Sequence, residues 1–392
     1  MPYDRGAARR ALAAGVSWPA LTTLARRERA TPVVLRSIAG LGHPIVDAGC
    51  EELRRNATLA VMQSLQLEHL LHAALRQLAA AGIDVMLLKG AGLAYTAYDS
   101  FSDRPMGDLD LLVRPERAED AWLLLQEHGW TWPSAVRAKA QYTAHHHLPP
   151  LLQESGLFRV EVHRGLFPAD HPFEFSIGEL WARARRLDVR GQRVIVPHPL
   201  HQIWHSCVHF AWSHLMAWGA WRTFRDIAAI VRRANIDWTE LIELARRSRA
   251  HTCCYWTLRL AHRLSAVPVP EGVLTALRPR RPERLLRELE RHYVSSLFPS
   301  DGGSPSPSVW LTQRLWQAGI APASSGHGRA RPWHASERWL AGAQPVPGTV
   351  PAPRSFADGL RHLLDALAHM RRIHRFAIPP AGATTFPQEN RA

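Results

Sequence analysis

Two aspartates one residue apart, Asp108 and Asp110, open an apolar run that reads Asp-Leu-Asp-Leu-Leu-Val113. Alternate residues of a strand share a face, so the segment sets two carboxylates side by side at the edge of a sheet. Like charges that close repel, and burial sharpens the repulsion. A divalent cation between them removes it, and Mg2+ suits the donors best because it takes oxygen ligands and shares phosphates with them. Upstream stands Val85-Met-Leu-Leu-Lys89-Gly90. There Gly90 permits close backbone approach, and a helix N-terminus offers N–H groups to a phosphate. Lys89 adds a point charge at the same place. Downstream, Glu161 and His163 alternate with Val160 and Val162 in Phe158-Arg-Val-Glu-Val-His163. If that segment pairs beside the Asp108 strand, Glu161 completes a three-carboxylate metal cluster. Arg104, four residues before Asp108, has two readings that stay open: it grips a phosphate bidentately, or it holds the aspartate loop in shape. His163 either orients the site or fills space beside it.

These motifs resemble the uncharacterised bacterial nucleotidyltransferase family of the DNA polymerase β-like superfamily. The resemblance rests on Leu87-Leu-Lys-Gly90, on Arg104 through Asp108-x-Asp110-Leu-Leu-Val113 and on Val160-Glu-Val-His163, with a fainter echo in Thr223-Phe-Arg-Asp226. It spans roughly residues 50 to 235. Many superfamily members carry a Gly-Ser pair at the phosphate loop; this chain has Lys89-Gly90-Ala91 and lacks that hydroxyl. The resemblance implies an α+β fold: a minimal nucleotidyltransferase core with a mixed β-sheet, flanked by N-terminal helices and a C-terminal helical domain. It also implies transfer of a nucleoside monophosphate from a nucleoside triphosphate to a hydroxyl acceptor. Asp108, Asp110 and Glu161 would be the catalytic and metal-binding carboxylates, holding two Mg2+ ions (or Mn2+). Lys89, Gly90 and Arg104 would hold the nucleotide, with His163 and Asp226 in support. The acceptor stays open among a small molecule, a peptide, a protein and RNA.

The elements that must position these residues follow from pattern. Residues 1–82 read as helical, with Leu67, Leu70, Leu71, Ala74, Leu75 and Leu78 forming an apolar stripe on a helix that Asp47 or a neighbour caps and Gly82 ends. The α/β core is expected over 83–197. It contains strands at 83–88, 109–113, 142–152 and 157–163, and a hairpin at Gln153–Gly156. Helices are expected at 90–98 and 115–128, and two strands flank Arg190-Gly191. Ser176-x-x-Glu179 is a capping-box signature. A helical domain is expected over 198–298, a Pro/Gly/Ser-rich linker, partly disordered, over 299–354, and an amphipathic tail helix over 355–378. That tail carries Leu360, Leu363, Leu364, Leu367 and Met370 on one face, and packing on the protein's own core or a partner is the expectation.

Composition narrows the partners. The net charge of +14 invites a nucleic-acid reading, but the arginines are spread along the chain and only Lys89 and Lys139 are lysines. Arginine in place of lysine throughout reflects coding bias, so nucleic acid is the less favoured partner. Two rival readings remain beside the transferase: an inactive nucleotide-binding or adaptor protein of the same fold, and a basic nucleic-acid-binding protein. Cys50, Cys207, Cys253 and Cys254 form no Cys-x-x-Cys pair and read as buried thiols. No apolar run approaches the length of a membrane span, and the first residues do not make a convincing signal peptide, so cytoplasmic residence is the expectation. His198, His201, His205 and His209 form a stripe without the glutamate a zinc protease needs, and packing is preferred to metal binding there. For His145-His146-His147 the default expectation is a loop cluster with adventitious metal or solvent contact, although a loop next to the catalytic sheet could help hold substrate.

Overall fold

Seven strands form one mixed sheet in the computed structural model, in the order β3-β4-β5-β2-β1-β7-β6. The structure describes residues 5–42, 50–133, 142–143, 145–168, 171–297, 309–320 and 356–374. The strands are β1 (Met86–Leu87), β2 (Asp108–Leu112), β3 (Trp130–Thr131), β4 (Leu151–Gln153), β5 (Arg159–His163), β6 (Arg185–Val189) and β7 (Gln192–Val196). The β2–β5 and β1–β7 pairs are parallel, and the other pairs are antiparallel. The α+β architecture expected from the sequence is therefore the one observed.

Alternation along β2 and β5 decides which side of the sheet is chemical. Leu109, Leu111, Val160 and Val162 are fully or almost fully buried. They join one core with Leu67, Leu71, Ala74, Leu75 and Leu78 of the helix Glu51–Ala80. Each such side chain contributes about 2 kcal/mol by leaving water. The register pairs Asp108 with Arg159, Asp110 with Glu161 and Leu112 with His163. A slip of one residue would turn the carboxylates into this core and the leucines away from it. Burial of the leucines and valines thus fixes the pairing of Asp110 with Glu161.

Several boundaries differ from expectation for identifiable reasons. β1 is two residues long because Ile83 N–H donates to Leu78 O at 2.9 Å, closing the preceding helix over Gly82 at φ 66°. The strand expected over 142–152 shrinks to β4, since Pro149 and Pro150 bring no N–H to a ladder; His147 alone forms a bridge to His163. The capping box at Ser176 does not close, because Glu179 pairs instead with Arg247 and, at 3.5 Å, with His201. Asp47, expected with its neighbours to cap the long helix, lies outside the described residues, and Cys50 occupies the N-cap position. Within the linker expected over 299–354, residues 309–320 form the helix Val309–Ile320, and the remainder also lies outside them. The β4–β5 turn at Gly156 and the β6–β7 turn at Arg190-Gly191 form as expected, with φ of 68°, 53° and 76°. Asp237 caps the helix Trp238–Arg247 by accepting from Glu240 N–H at 2.9 Å.

The described chain divides into two compact units. One comprises Trp18–Ser206 and Ala229–Arg249 and contains the sheet; the other comprises Met1–Ser17, Cys207–Ala228 and Ala250–Ala392. In the latter, the described residues are helical around Trp256, Tyr293 and Trp316, whose side chains are buried. The indole N–H of Trp256 donates to Gly319 O at 3.1 Å, and that of Trp316 to Ala211 O at 2.7 Å. The helix Glu271–Leu277, not expected from the sequence, is short and bounded by Pro270. In the helix Phe356–Ile373, Leu360, Leu363, Leu364 and Leu367 are exposed while His369 and Ile373 are buried. The leucine face expected to pack thus faces outward among the described residues, because polar His369, paired with His292 at 2.9 Å, anchors the helix instead. All four cysteines are buried and none is in a disulfide. No described helix is long and apolar enough to cross a membrane.

The helix Lys89–Thr96 crosses the end of β1 so closely that one position admits only glycine. A Cβ at Gly92 would lie 2.3 Å from the backbone oxygen of Leu87. Neither backbone can yield without dragging the helix off the sheet. Gly92→Ala is expected to destabilise the protein by about 3 kcal/mol, seen as a lower urea midpoint; an unchanged midpoint would place the helix elsewhere.

Candidate active site

The polar face of β2 and β5 carries a chain of alternating charges. Lys89 opens its helix in the left-handed region at φ 43° and sends Nζ to Asp110 Oδ1 at 2.7 Å. An L-residue held there stores roughly 1 kcal/mol of strain. The same oxygen accepts from His163 Nε2–H at 2.9 Å. His163 Nε2 lies 3.5 Å from Glu161 Oε2, and its Nδ1–H donates to Gly165 O at 3.4 Å. Arg159 spans the next step, with Nε 3.1 Å from Glu161 Oε1 and Nη2 3.4 Å from Asp108 Oδ2. Arg29 reaches the far end, its Nη1 3.9 Å from Asp108 Oδ1.

Electrostatics keeps all three acids charged. Burial opposes ionisation of Asp110, but Lys89 and His163 outweigh it and hold the carboxyl well below the usual range. Burial likewise opposes Glu161, and His147, Arg159, His163 and Lys89 together lower it. Desolvation and the neighbouring Asp110 push Asp108 up, yet Arg29, Arg159 and Lys89 bring it down overall. For His163, burial favours the neutral ring, while hydrogen bonds to Asp110 and Glu161 raise its pKa. Ligand atoms of Asp110, Glu161 and His163 lie within 4.8 Å of one another, and all three residues are buried. Two ionised carboxylates converging in a buried place form a donor set that fits a hard dication. Asp108 stands outside this closest trio, with its side chain 37% exposed.

Not every residue singled out in the sequence joins the cluster. Gly90 is pressed against Met106, whose Sδ would sit 2.9 Å from an added Cβ. Arg104 is buried and donates from Nη1 to Pro105 O at 3.1 Å, a contact that favours the loop-holding role. Asp226 is buried in the helix Ala220–Arg233 and belongs to the other compact unit. Within the histidine stripe, His205 is buried in the same unit as the sheet. Its pKa falls to about 3, through burial first and then Lys89, with Asp110 opposing. It therefore borders the site, while His201 packs beside Glu179 at 3.5 Å. The stripe supplies neither of the two His/carboxylate groupings close enough for a metal among the described residues.

Three contributors escaped the sequence reading. Arg159 was legible in principle: it alternates with Glu161 and must share its face. Arg29 comes from a segment far away in sequence and offers no local signal. His147, expected to be a solvent-facing loop residue, is instead buried with Nε2 3.8 Å from Glu161 Oε2. The expectation fails because the loop folds under β5: Leu148 N–H donates to Val162 O at 2.9 Å, and the N–H groups of Arg164 and Gly165 donate to His146 O.

The mixed sheet thus sets acids on neighbouring parallel strands beside a lysine-led helix start. The chain belongs to the uncharacterised nucleotidyltransferase family, whose model matches residues 14–266. The match reaches further toward both ends than the motifs alone imply, and it takes in Arg29. No curated protein matches the chain.

Proposed function

We propose that the chain transfers a nucleoside monophosphate from a nucleoside triphosphate to a hydroxyl-bearing acceptor. The observation that supports this most strongly is the parallel register of Asp110 against Glu161 on the polar face, next to Lys89. Asp110 and Glu161, with Asp108 at the outer edge, would hold Mg2+ or Mn2+. The ion would neutralise phosphate charge and lower the pKa of the attacking hydroxyl. Lys89 keeps Asp110 ionised before substrate arrives, and its ammonium is a compact charge for the triphosphate. First-turn N–H groups around Gly90 add donors to the same phosphates. His163 is fastened to both carboxylates and positions them. Arg159 and Arg29 hold Asp108 and Glu161 apart from each other's charge, and Arg104 steadies the loop that leads into β2.

The test is incubation of the protein with each α-labelled nucleoside triphosphate, Mg2+ and a cell extract. Label is expected to move to one class of acceptor with release of pyrophosphate. Chelation with EDTA is expected to lower the rate by at least about a hundredfold, and labelling that is unchanged after chelation would remove the metal from the proposal. A second reading draws on one feature of the same site: every carboxylate already has a cationic partner from the chain. Such a site could bind a nucleotide without turning it over. Calorimetry with and without Mg2+ separates the two, since binding with no acceptor labelled by any extract favours the inactive module. A nucleic-acid role is the least supported; it requires salt-steep RNA or DNA binding.

A further inference from the structure

His145, His146 and His147 are consecutive, yet their rings converge. Ring centroids lie 4.9 Å apart for His145 and His146, 4.1 Å for His145 and His147, and 4.8 Å for His146 and His147. One nitrogen from each lies within 4.8 Å of the others. Convergence of this kind has to be built, and the loop shows how. Arg164 clamps its backbone from below: Nε donates to His145 O at 2.9 Å, and Nη2 donates to Tyr142 O at 2.7 Å and Thr143 O at 2.5 Å. The bridge from His147 to His163 fixes the other end on β5. His147 Nδ1–H donates to Leu148 O at 2.7 Å. That bond fixes the orientation of the ring, as carbonyl acceptors do for metal-bound histidines.

We infer that His145, His146 and His147 form a second metal site, selective for a transition-metal dication of the zinc class. Nitrogens around a tetrahedral Zn2+ stand about 3.4 Å apart, so the rings, whose nitrogens already lie within 4.8 Å of one another, must rotate inward to take up the ion. An all-imidazole set suits Zn2+, Co2+ or Ni2+ and discriminates against Mg2+, which prefers oxygen. Three imidazoles leave coordination positions open. Glu161 Oε2, at 3.8 Å from His147 Nε2, links this site to the carboxylates. The inference does not depend on nucleotidyl transfer, and the two fail separately.

Untagged, metal-free full-length protein is titrated with Co2+ in excess Mg2+. One equivalent is expected to bind with the visible absorption of nitrogen-bound Co2+, and Zn2+ is expected to displace it. His145→Gln, His146→Gln and His147→Gln are each expected to weaken binding at least about tenfold. Asp110→Asn, which removes a donor of the carboxylate site only, is expected to leave the Co2+ spectrum unchanged. X-ray absorption of the Zn2+-loaded wild type needs no variant and is expected to show three imidazoles at about 2.0–2.1 Å. The inference is overturned by absence of micromolar Co2+ or Zn2+ uptake, by a shell of oxygen or sulfur ligands, by uptake unchanged in all three histidine variants, or by loss of the spectrum in Asp110→Asn.

Discussion

Asp110→Asn is expected to lower metal-dependent nucleotide transfer by about a thousandfold or more, equivalent to ~4 kcal/mol of transition-state stabilisation. Asparagine keeps the size of the side chain and one acceptor oxygen but removes the charge that a dication needs. The loss falls at the point where Lys89, His163 and the β5 partner Glu161 converge, so no neighbouring carboxylate can take over the same donor position. The fold is expected to persist. Lys89, with its side chain 24% exposed, can swing toward water, and Leu109 and Leu111 remain buried on the opposite face. Circular dichroism and a urea midpoint check the fold, and pyrophosphate release reads the activity. Equal release by wild type and variant would contradict the role assigned to Asp110.

Lys89→Ala is expected to lower kcat/KM for the nucleoside triphosphate by about a hundredfold, ~2.7 kcal/mol, mostly through KM. The chain has only one other lysine, Lys139, so the abundant arginines have not taken this place. Arginine is a poor substitute here because a planar fork does not reproduce a point charge 2.7 Å from one carboxylate oxygen. Lys89→Arg is therefore expected to recover little of the loss. The substitution also changes acid behaviour in metal-free protein. A carboxyl held below its unfolded pKa contributes stability that is complete above about pH 4 and disappears as pH falls through the folded value. Without Lys89, Asp110 titrates at higher pH, so Lys89→Ala loses this contribution earlier on acidification. A variant whose KM and acid midpoint match wild type would show that Lys89 serves neither phosphate nor carboxylate.

Much of the architecture was legible because period-two alternation leaves little choice. Asp108, Asp110, Glu161 and His163 were assigned to one face of paired strands from sequence, and β2 and β5 do pair in parallel with Asp110 opposite Glu161. Three kinds of information were not local. Arg29 and Arg164 act across the fold, one on Asp108 and one on the backbone of Tyr142, Thr143 and His145. The burial of His146 and His147 depends on a loop that two prolines prevent from becoming a strand. Side-chain competition redirected Glu179 from its capping role to Arg247. Arg29, Arg164 and Arg247 each lie far along the chain from the groups they act on, beyond what spacing or propensity registers.

The central claim is that Asp110 and Glu161 jointly hold the divalent ion that serves the nucleotide. A crystal of the protein grown with Mn2+ and a non-hydrolysable nucleoside triphosphate tests it directly through the anomalous signal of manganese. The account predicts manganese in contact with both Asp110 and Glu161, with the triphosphate beside Lys89. Manganese absent from this pair, or a nucleotide bound away from β2 and β5, would contradict it.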